Sequence, residues 1–180
     1  AVETMHTVVT PTIYAEARDL IAAHREKGHE VVIISASASV LVKPIAEELG
    51  IEHVVATELA EEDGRFTGEI LFYCKGAAKA EALKRMAQKL GVDKDASYAY
   101  SDSATDIPML KQVGHPVAVN PDRLLKKHAA DNGWETRTFK DPVPLFTPPS
   151  AREFGIGTAV LAGIAALIVG GVLIARQRNK

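Results

Sequence analysis

The chain has 180 residues, 47% hydrophobic and 24% charged, which excludes a disordered, collagen-like or polar low-complexity polymer and makes one ordinary domain the expectation. A net charge of −2 and an aromatic content of 6% argue against the basic, aromatic surface that nucleic-acid binding requires. A lone cysteine, Cys74, without Cys or His neighbours at zinc spacing, excludes a disulfide scaffold or a zinc module and favours a reducing compartment.

Thr10-Pro11 can cap and open a helix whose apolar Ile13, Ala17, Leu20 and Ile21 repeat at helical spacing, with Gly28 past its end. Val31-Val32-Ile33-Ile34 is a continuous apolar run, typical of a strand buried on both faces. A helix through Leu49 stops at Gly50, and His53–Thr57 is the next strand. Asp63-Gly64 predicts a hairpin between the flanks Glu58–Glu61 and Phe66–Phe72. Residues 77–90, rich in Ala, Lys, Glu and Leu and ending at Gly91, predict a helix. There follow a strand at Ser97–Ser101, a short helix ending at Gly114, a strand at Pro116–Val119, a helix at Pro121–Asp131 and a strand at Glu135–Phe139. Buried strands alternating with helices imply an open, mostly parallel α/β sheet covered on both faces.

The segment Asp141–Ser150 places four prolines in ten residues and reads as a stiff, extended spacer, so the body is expected to end near Phe146, with residues 147–153 as linker. From Phe154 to Ala175 run 22 uncharged residues, about 33 Å as a helix, which reads as a transmembrane helix followed by a basic tail at 176–180. Gly155-Ala159-Gly163 and Ala162-Ala166-Gly170 form rows of small residues that permit close helix approach and so a homodimer. Residues 151–180 carry four Lys/Arg and one Glu, leaving 17 basic and 22 acidic side chains in residues 1–150: an acidic body and a basic tail. The positive charges flanking the apolar run are nearly balanced and leave its orientation open. The start at Ala1-Val2-Glu3, without methionine or a signal-peptide pattern, fits either processing or a piece of a longer protein.

Ligands of such sheets bind at the carboxyl ends of the strands, so the residues closing each strand are the candidates. Ser35-Ala36-Ser37-Ala38-Ser39 offers hydroxyls and backbone N–H groups for a phosphate, or a plain helix N-cap. Asp102 and Asp106, four residues apart where a strand gives way to a helix, suit Mg²⁺, or cap the short helix. Lys79, near the start of the 77–90 helix, can point an ammonium at a phosphate or sit on a solvated face.

Together these residues resemble the haloacid-dehalogenase (HAD) superfamily of aspartate-nucleophile phosphohydrolases, specifically its subfamily IB branch of phosphoserine phosphatases. The second motif of that family, a Ser or Thr ending an apolar strand, matches Ser35; the third, a lysine, matches Lys79 in Cys74–Leu83, with Lys75 the alternative; the fourth, an aspartate pair, matches Asp102 and Asp106 in Ser101–Leu110. The resemblance covers roughly residues 10–140 and implies a Rossmannoid three-layer fold with Ser35, Ala36 and Lys79 on phosphate and Asp102 and Asp106 on Mg²⁺. Ser35 and Lys79 are the catalytic residues it assigns.

The family's first motif, Asp-x-Asp-x-Thr/Val after an apolar strand, is not found here. The chain's Asp-x-Asp, Asp93-Lys94-Asp95, follows Leu90-Gly91-Val92 at a helix end and reads as a solvated turn. The helical cap is missing too, apart from a remnant within residues 1–10. The resemblance therefore implies the C-terminal part of an aspartyl-phosphate-forming phosphatase whose nucleophile lies upstream and whose central strand is absent. The strands ending at Ser35 and Ser101 should then pair directly, or flank a vacant slot if the family's geometry persists. The implied substrate is phosphoserine or, given the apolar segment, a lipid phosphate such as a lysophospholipid. A membrane-tethered, catalytically dead binding module is the rival, and a response-regulator receiver fits poorly. The body is expected on the cytoplasmic side of a membrane, held by a single C-terminal span.

Overall fold

The computed structural model describes residues 12–144 and 171–177. In chain order the elements are β1 (Thr12–Tyr14), α1 (Ala15–Glu26), β2 (His29–Ala38), α2 (Ser39–Glu48), β3 (His53–Glu62), β4 (Arg65–Phe72), α3 (Ala77–Leu90), β5 (Val92–Ser101), a 3₁₀ turn (Ala104–Asp106), α4 (Ile107–Leu110), β6 (His115–Val119), α5 (Arg123–Asp131), β7 (Glu135–Arg137), β8 (Pro142–Pro144) and β9 (Gly171–Gln177). Seven strands form one sheet in the order β4-β3-β2-β9-β5-β6-β7. The β2–β3, β5–β6 and β6–β7 pairs are parallel, and β3–β4 is antiparallel.

Alternation along the strands divides the core in two. Val32, Ile34, Ala99 and Ala118 pack on one face against Leu83 and Ala87 of α3, Met109 and Leu110 of α4, and Leu125 and Ala129 of α5. Val31, Ile33, Tyr100, Val117 and Val119 point the other way, onto Ile21 of α1 and Val42 and Ala46 of α2. This period of two on strands buried from both sides is why β2 reads as an unbroken apolar run. The expected α/β sheet covered on both faces is what forms.

At the sheet's centre the expectation of a missing strand is corrected. The slot between β2 and β5 is neither vacant nor closed by their direct pairing: β9 fills it, antiparallel to both, with Val31 opposite Ile174 and Tyr100 opposite Val172. Two facing strand edges present rows of N–H and C=O groups that must find partners, and Val172-Leu173-Ile174 is a good strand former. Of the expected transmembrane helix, residues 154–170 lie outside the described residues and 171–175 belong to β9. The first two residues of the expected basic tail, Arg176 and Gln177, complete that strand. Among the described residues no helix is long and apolar enough to cross a membrane.

Two further expectations change. The first helix begins at Ala15 and not at Pro11, because Ile13 instead pairs with Val143 in the two-stranded β1–β8 ribbon. That pairing also draws Pro142–Pro144 out of the expected spacer into β8, and residues 145–150 lie outside the described residues. Asp93–Asp95 lie in β5 and not in a free turn: Asp93 pairs with Arg176, Lys94 and Asp95 fall in the register shift that follows, and the Asp95 N–H donates to Asp93 Oδ1.

The β3–β4 hairpin turns where expected. Asp63 and Gly64 both have positive φ, 49° and 75°, as a type I′ turn demands. Every β3–β4 pair, from Glu58–Phe72 to Glu62–Arg65, lies beyond Thr57, so the hairpin projects past the carboxyl end of β2. The exposed large apolar side chains among the described residues are Leu41, Phe66, Ile70, Leu71, Tyr73 and Leu124. All six stand on this hairpin or on the segments leaving the carboxyl ends of strands.

Candidate active site

β2 stays in parallel register with β3 up to Ile34–Val55 and resumes it only at Ala38–Thr57, so Ser35-Ala36-Ser37 bulge from the ladder. Such a bulge re-aims side chains at the rim of a sheet. Ser35 is buried, and its Oγ accepts from the Ser37 N–H at 3.2 Å. The Thr57 hydroxyl donates to the Ala36 carbonyl at 2.7 Å and accepts from the Cys74 N–H at 3.2 Å.

From Cys74 the chain turns through Gly76, whose φ of 57° and ψ of −120° suit a residue without Cβ, into α3. Lys79 sits in the first turn of that helix, 4% exposed, with its Nζ 2.7 Å from Asp106 Oδ2. β5 ends at Ser101, fully buried, whose hydroxyl donates to the same Oδ2 at 2.7 Å and accepts from the Ser103 N–H. Ser103 Oγ accepts from the Thr105 N–H and caps the 3₁₀ turn that carries Asp106. Behind Asp102 the carboxylate of Asp122 accepts from the Ala104 N–H at 2.8 Å and the Leu125 N–H at 2.7 Å, and the Asp122 N–H donates to the Asp102 carbonyl.

The Lys79–Asp106 pair has both partners out of water. A buried ion pair repays its desolvation only when further hydrogen bonds complete it, and Ser101 provides one. Burial pushes the half-buried Asp102 carboxyl above the usual carboxylate range; the charge of Asp106 adds to this, while its own backbone N–H and Lys79 oppose it. Burial likewise raises the Cys74 thiol, which feels the charges of Lys79 and Asp106 and meets the backbone of Ser35. Cys74 thus marks the point where the three polar segments converge.

The structure therefore brings Ser35, Ala36, Lys79, Asp102 and Asp106 to one end of the sheet, on the segments that close β2 and β5 and open α3. Lys75, the alternative lysine, is exposed, its Nζ 6.0 Å from the centre of the Tyr73 ring, and belongs to no part of this cluster. Asp93 and Asp95 lie at the opposite, amino end of β5. Sequence reasoning missed Ser101, Thr57 and Asp122. Ser101 closes β5 and Thr57 closes the stretch of β3 that pairs with β2, hydroxyl residues after apolar runs and the same signal that singled out Ser35. Asp122 fell unremarked inside the helix expected at Pro121–Asp131, where the structure makes it the N-cap of α5, and its bond to Ala104 spans 18 residues.

Among the described residues no three His, Cys, Asp or Glu side chains group as a metal-binding set. A hard cation that takes one or two carboxylates and keeps several waters needs no such trio. Asp102 and Asp106 are hard oxygen donors, and burial, which raises the Asp102 carboxyl, penalises a bare carboxylate there in a way that a divalent cation would relieve. The donor set fits Mg²⁺.

Fold and site together define an open-sheet α/β protein of the three-layer kind, with its polar cluster at the carboxyl ends of the strands. The chain belongs to the haloacid dehalogenase-like hydrolase family, whose model matches residues 1–111. It is 48% identical over 98% of its length to a Mycobacterium tuberculosis protein described as a probable phosphatase, covering 62% of that protein. It is 34% identical over 88% of its length to the phosphoserine phosphatase SerB1 of the same species, covering 52% of it. A solved phosphoserine phosphatase, captured as a phospho-aspartyl intermediate analogue, superposes with a TM-score of 0.60 at 28% identity, over 73% of this chain and 60% of that one. The chain spans between half and two thirds of these relatives.

Proposed function

We propose that the chain forms the phosphate- and metal-binding part of a Mg²⁺-dependent phosphomonoester hydrolase of the phosphoserine-phosphatase type. The observation that carries this is the buried Lys79–Asp106 pair, set beside Ser35 and Asp102 at the carboxyl ends of the strands. Ser35 Oγ and the Ala36 N–H donate to phosphoryl oxygens, and the Lys79 ammonium offsets their charge. Asp106 aims that ammonium, and Ser101 holds Asp106. Asp102 and Asp106 would hold Mg²⁺, which when bound would neutralise charge on the phosphoryl group. An aspartate carboxylate from an upstream segment acts as nucleophile, in keeping with the phospho-aspartyl analogue seen in the structural neighbour.

Phosphoserine is the substrate this reading puts first, since relatives of that activity recur among the similar proteins. A lipid phosphate is favoured by one observation, the apolar rim of Leu41, Phe66, Ile70, Leu71, Tyr73 and Leu124 beside the site.

The test reads the coding sequence ahead of Ala1 for Asp-x-Asp-x-Thr/Val after an apolar strand, then measures phosphate release from phosphoserine and from lysophosphatidate. Mg²⁺-dependent release is expected from the longer polypeptide and none from residues 1–180. Release by the 180-residue chain itself would remove the need for an upstream nucleophile. Absence of the motif upstream would leave the binding-module reading in its place.

A further inference from the structure

We propose that Thr57 is a positioning residue for the phosphate site, an inference that rests on the functional reading above. The bulge at Ser35-Ala36-Ser37 interrupts the β2–β3 ladder at the segment that faces the phosphoryl group. Bulged backbone loses its ladder partners, and a buried carbonyl without a partner is costly. Thr57 supplies the lost partner from its side chain: the hydroxyl donates to the Ala36 carbonyl at 2.7 Å. The same oxygen accepts from the N–H of Cys74, a residue with no exposed surface, at 3.2 Å. Thr57 itself is 4% exposed.

One hydroxyl thus joins two segments that are remote in sequence. Ala36 follows Ser35 directly, so fixing its carbonyl fixes the peptide plane that aims the Ser35 and Ala36 donors. Cys74 begins the turn that delivers Lys79, five residues on, through Gly76. Without the hydroxyl, the bulge and the turn each lose their tie at the same point, and the distance between the Ser35–Ala36 donors and the Lys79 ammonium is no longer held. Thr57 touches no substrate in this arrangement; it sets the spacing of the groups that do. Valine has nearly the shape of threonine and cannot hydrogen-bond, whereas serine keeps the hydroxyl and drops only the methyl, so the two variants separate hydrogen bonding from packing.

The experiment measures orthophosphate binding to the 180-residue chain by calorimetry at saturating Mg²⁺, for the wild type, Thr57→Ser and Thr57→Val. Amide hydrogen exchange at Cys74 is followed in parallel. Displacement of binding groups by a fraction of an ångström predicts roughly ten-fold weaker binding for Thr57→Val, with Thr57→Ser within about two-fold of wild type. Exchange at Cys74 should accelerate in the valine variant and stay near wild type in the serine one. Wild-type affinity in Thr57→Val, or equal losses in both variants, overturns the proposal while leaving the phosphate site standing. A wild-type chain that binds no orthophosphate overturns the phosphate-site reading itself, and with it the functional half of this inference. If the valine variant does not fold, Thr57→Ala is read in the same two ways.

Discussion

Acidification should destabilise this fold through one buried imidazole. His24, on the last turn of α1, is 5% exposed; its Nε2 lies 2.9 Å from the Tyr100 hydroxyl and its Nδ1 2.9 Å from His29 Nδ1. Burial first, then the charges of His29, Lys27 and Arg137, lower its pKa from 6.5 to about 4. The unfolded chain therefore binds a proton below pH 6.5 that the folded chain refuses until about pH 4. Stability falls as pH falls through that window, because the unfolded state is the one that gains protons. Linkage between those two pKa values gives a loss of about 2 kcal/mol from pH 7 to 5 and about 3 kcal/mol by pH 4. Urea titrations at pH 7, 6 and 5 measure it, with His24→Phe as the reference in which this proton is gone but ring packing against Tyr98 and Tyr100 persists. The wild type should lose about 2 kcal/mol more than the variant over that range, the carboxylate contributions being common to both. Parallel pH profiles for the two proteins, or an imidazole titration of His24 near 6.5 in the folded state, would refute the argument.

Lys79→Met leaves the Asp106 carboxylate buried without its cation and should destabilise the chain by about 3–5 kcal/mol, whereas Lys79→Met combined with Asp106→Leu should recover most of that loss. Chemical denaturation checks both, and a double variant as unstable as the single one would contradict the buried-pair reasoning. Asp102→Asn replaces a carboxylate donor with a neutral amide and should weaken Mg²⁺ binding by at least about ten-fold in calorimetry. Unchanged affinity would remove Asp102 from the metal site. An alanine Cβ at Gly114 would stand 1.8 Å from the Asp95 carbonyl oxygen, a contact that backbone alone can relieve. Gly114→Ala should therefore cost about 3 kcal/mol in urea unfolding, and a neutral substitution would show that the 93–95 segment yields freely.

What the sequence made legible follows from how local each signal is. Ala77–Leu90 carries helix formers and a glycine stop within one segment, and Asp63-Gly64 needs only its own positive φ values, so both elements form where the residues alone place them. Ser35, Asp102 and Asp106 stood out because polar side chains following apolar runs are conspicuous, whereas Lys79, near a helix start, stood out only through the family resemblance; all four reach the same end of the sheet. Thr57 and Ser101 likewise follow apolar runs, yet their partners depend on a bulge and on a turn that appear only once β2, β3 and β5 are in register. β1 and β8 have three residues each and pair across about 130 positions, far beyond any window in which periodicity can be read. β9 failed for another reason: a run of Val, Leu and Ile satisfies the length test for a span and the propensity for a strand equally well, and tertiary context decides between them.

The six exposed apolar residues give the described part of the molecule a polarity along the strand axis. Leu41, Phe66, Ile70, Leu71, Tyr73 and Leu124 stand at the carboxyl pole, while at the amino pole Lys111, His115, Asn132 and Glu135, with Tyr98 and Trp134, line a cleft of about 570 Å³. A body built this way behaves as an amphiphile. At an oil–water or air–water boundary the described body orients instead of tumbling, carboxyl pole foremost, because burying that pole removes these six apolar side chains from water. The consequence reaches the bench: immobilisation on an alkyl resin will present the amino pole to solvent and occlude the site, whereas coupling through lysines of the amino pole will leave the site open.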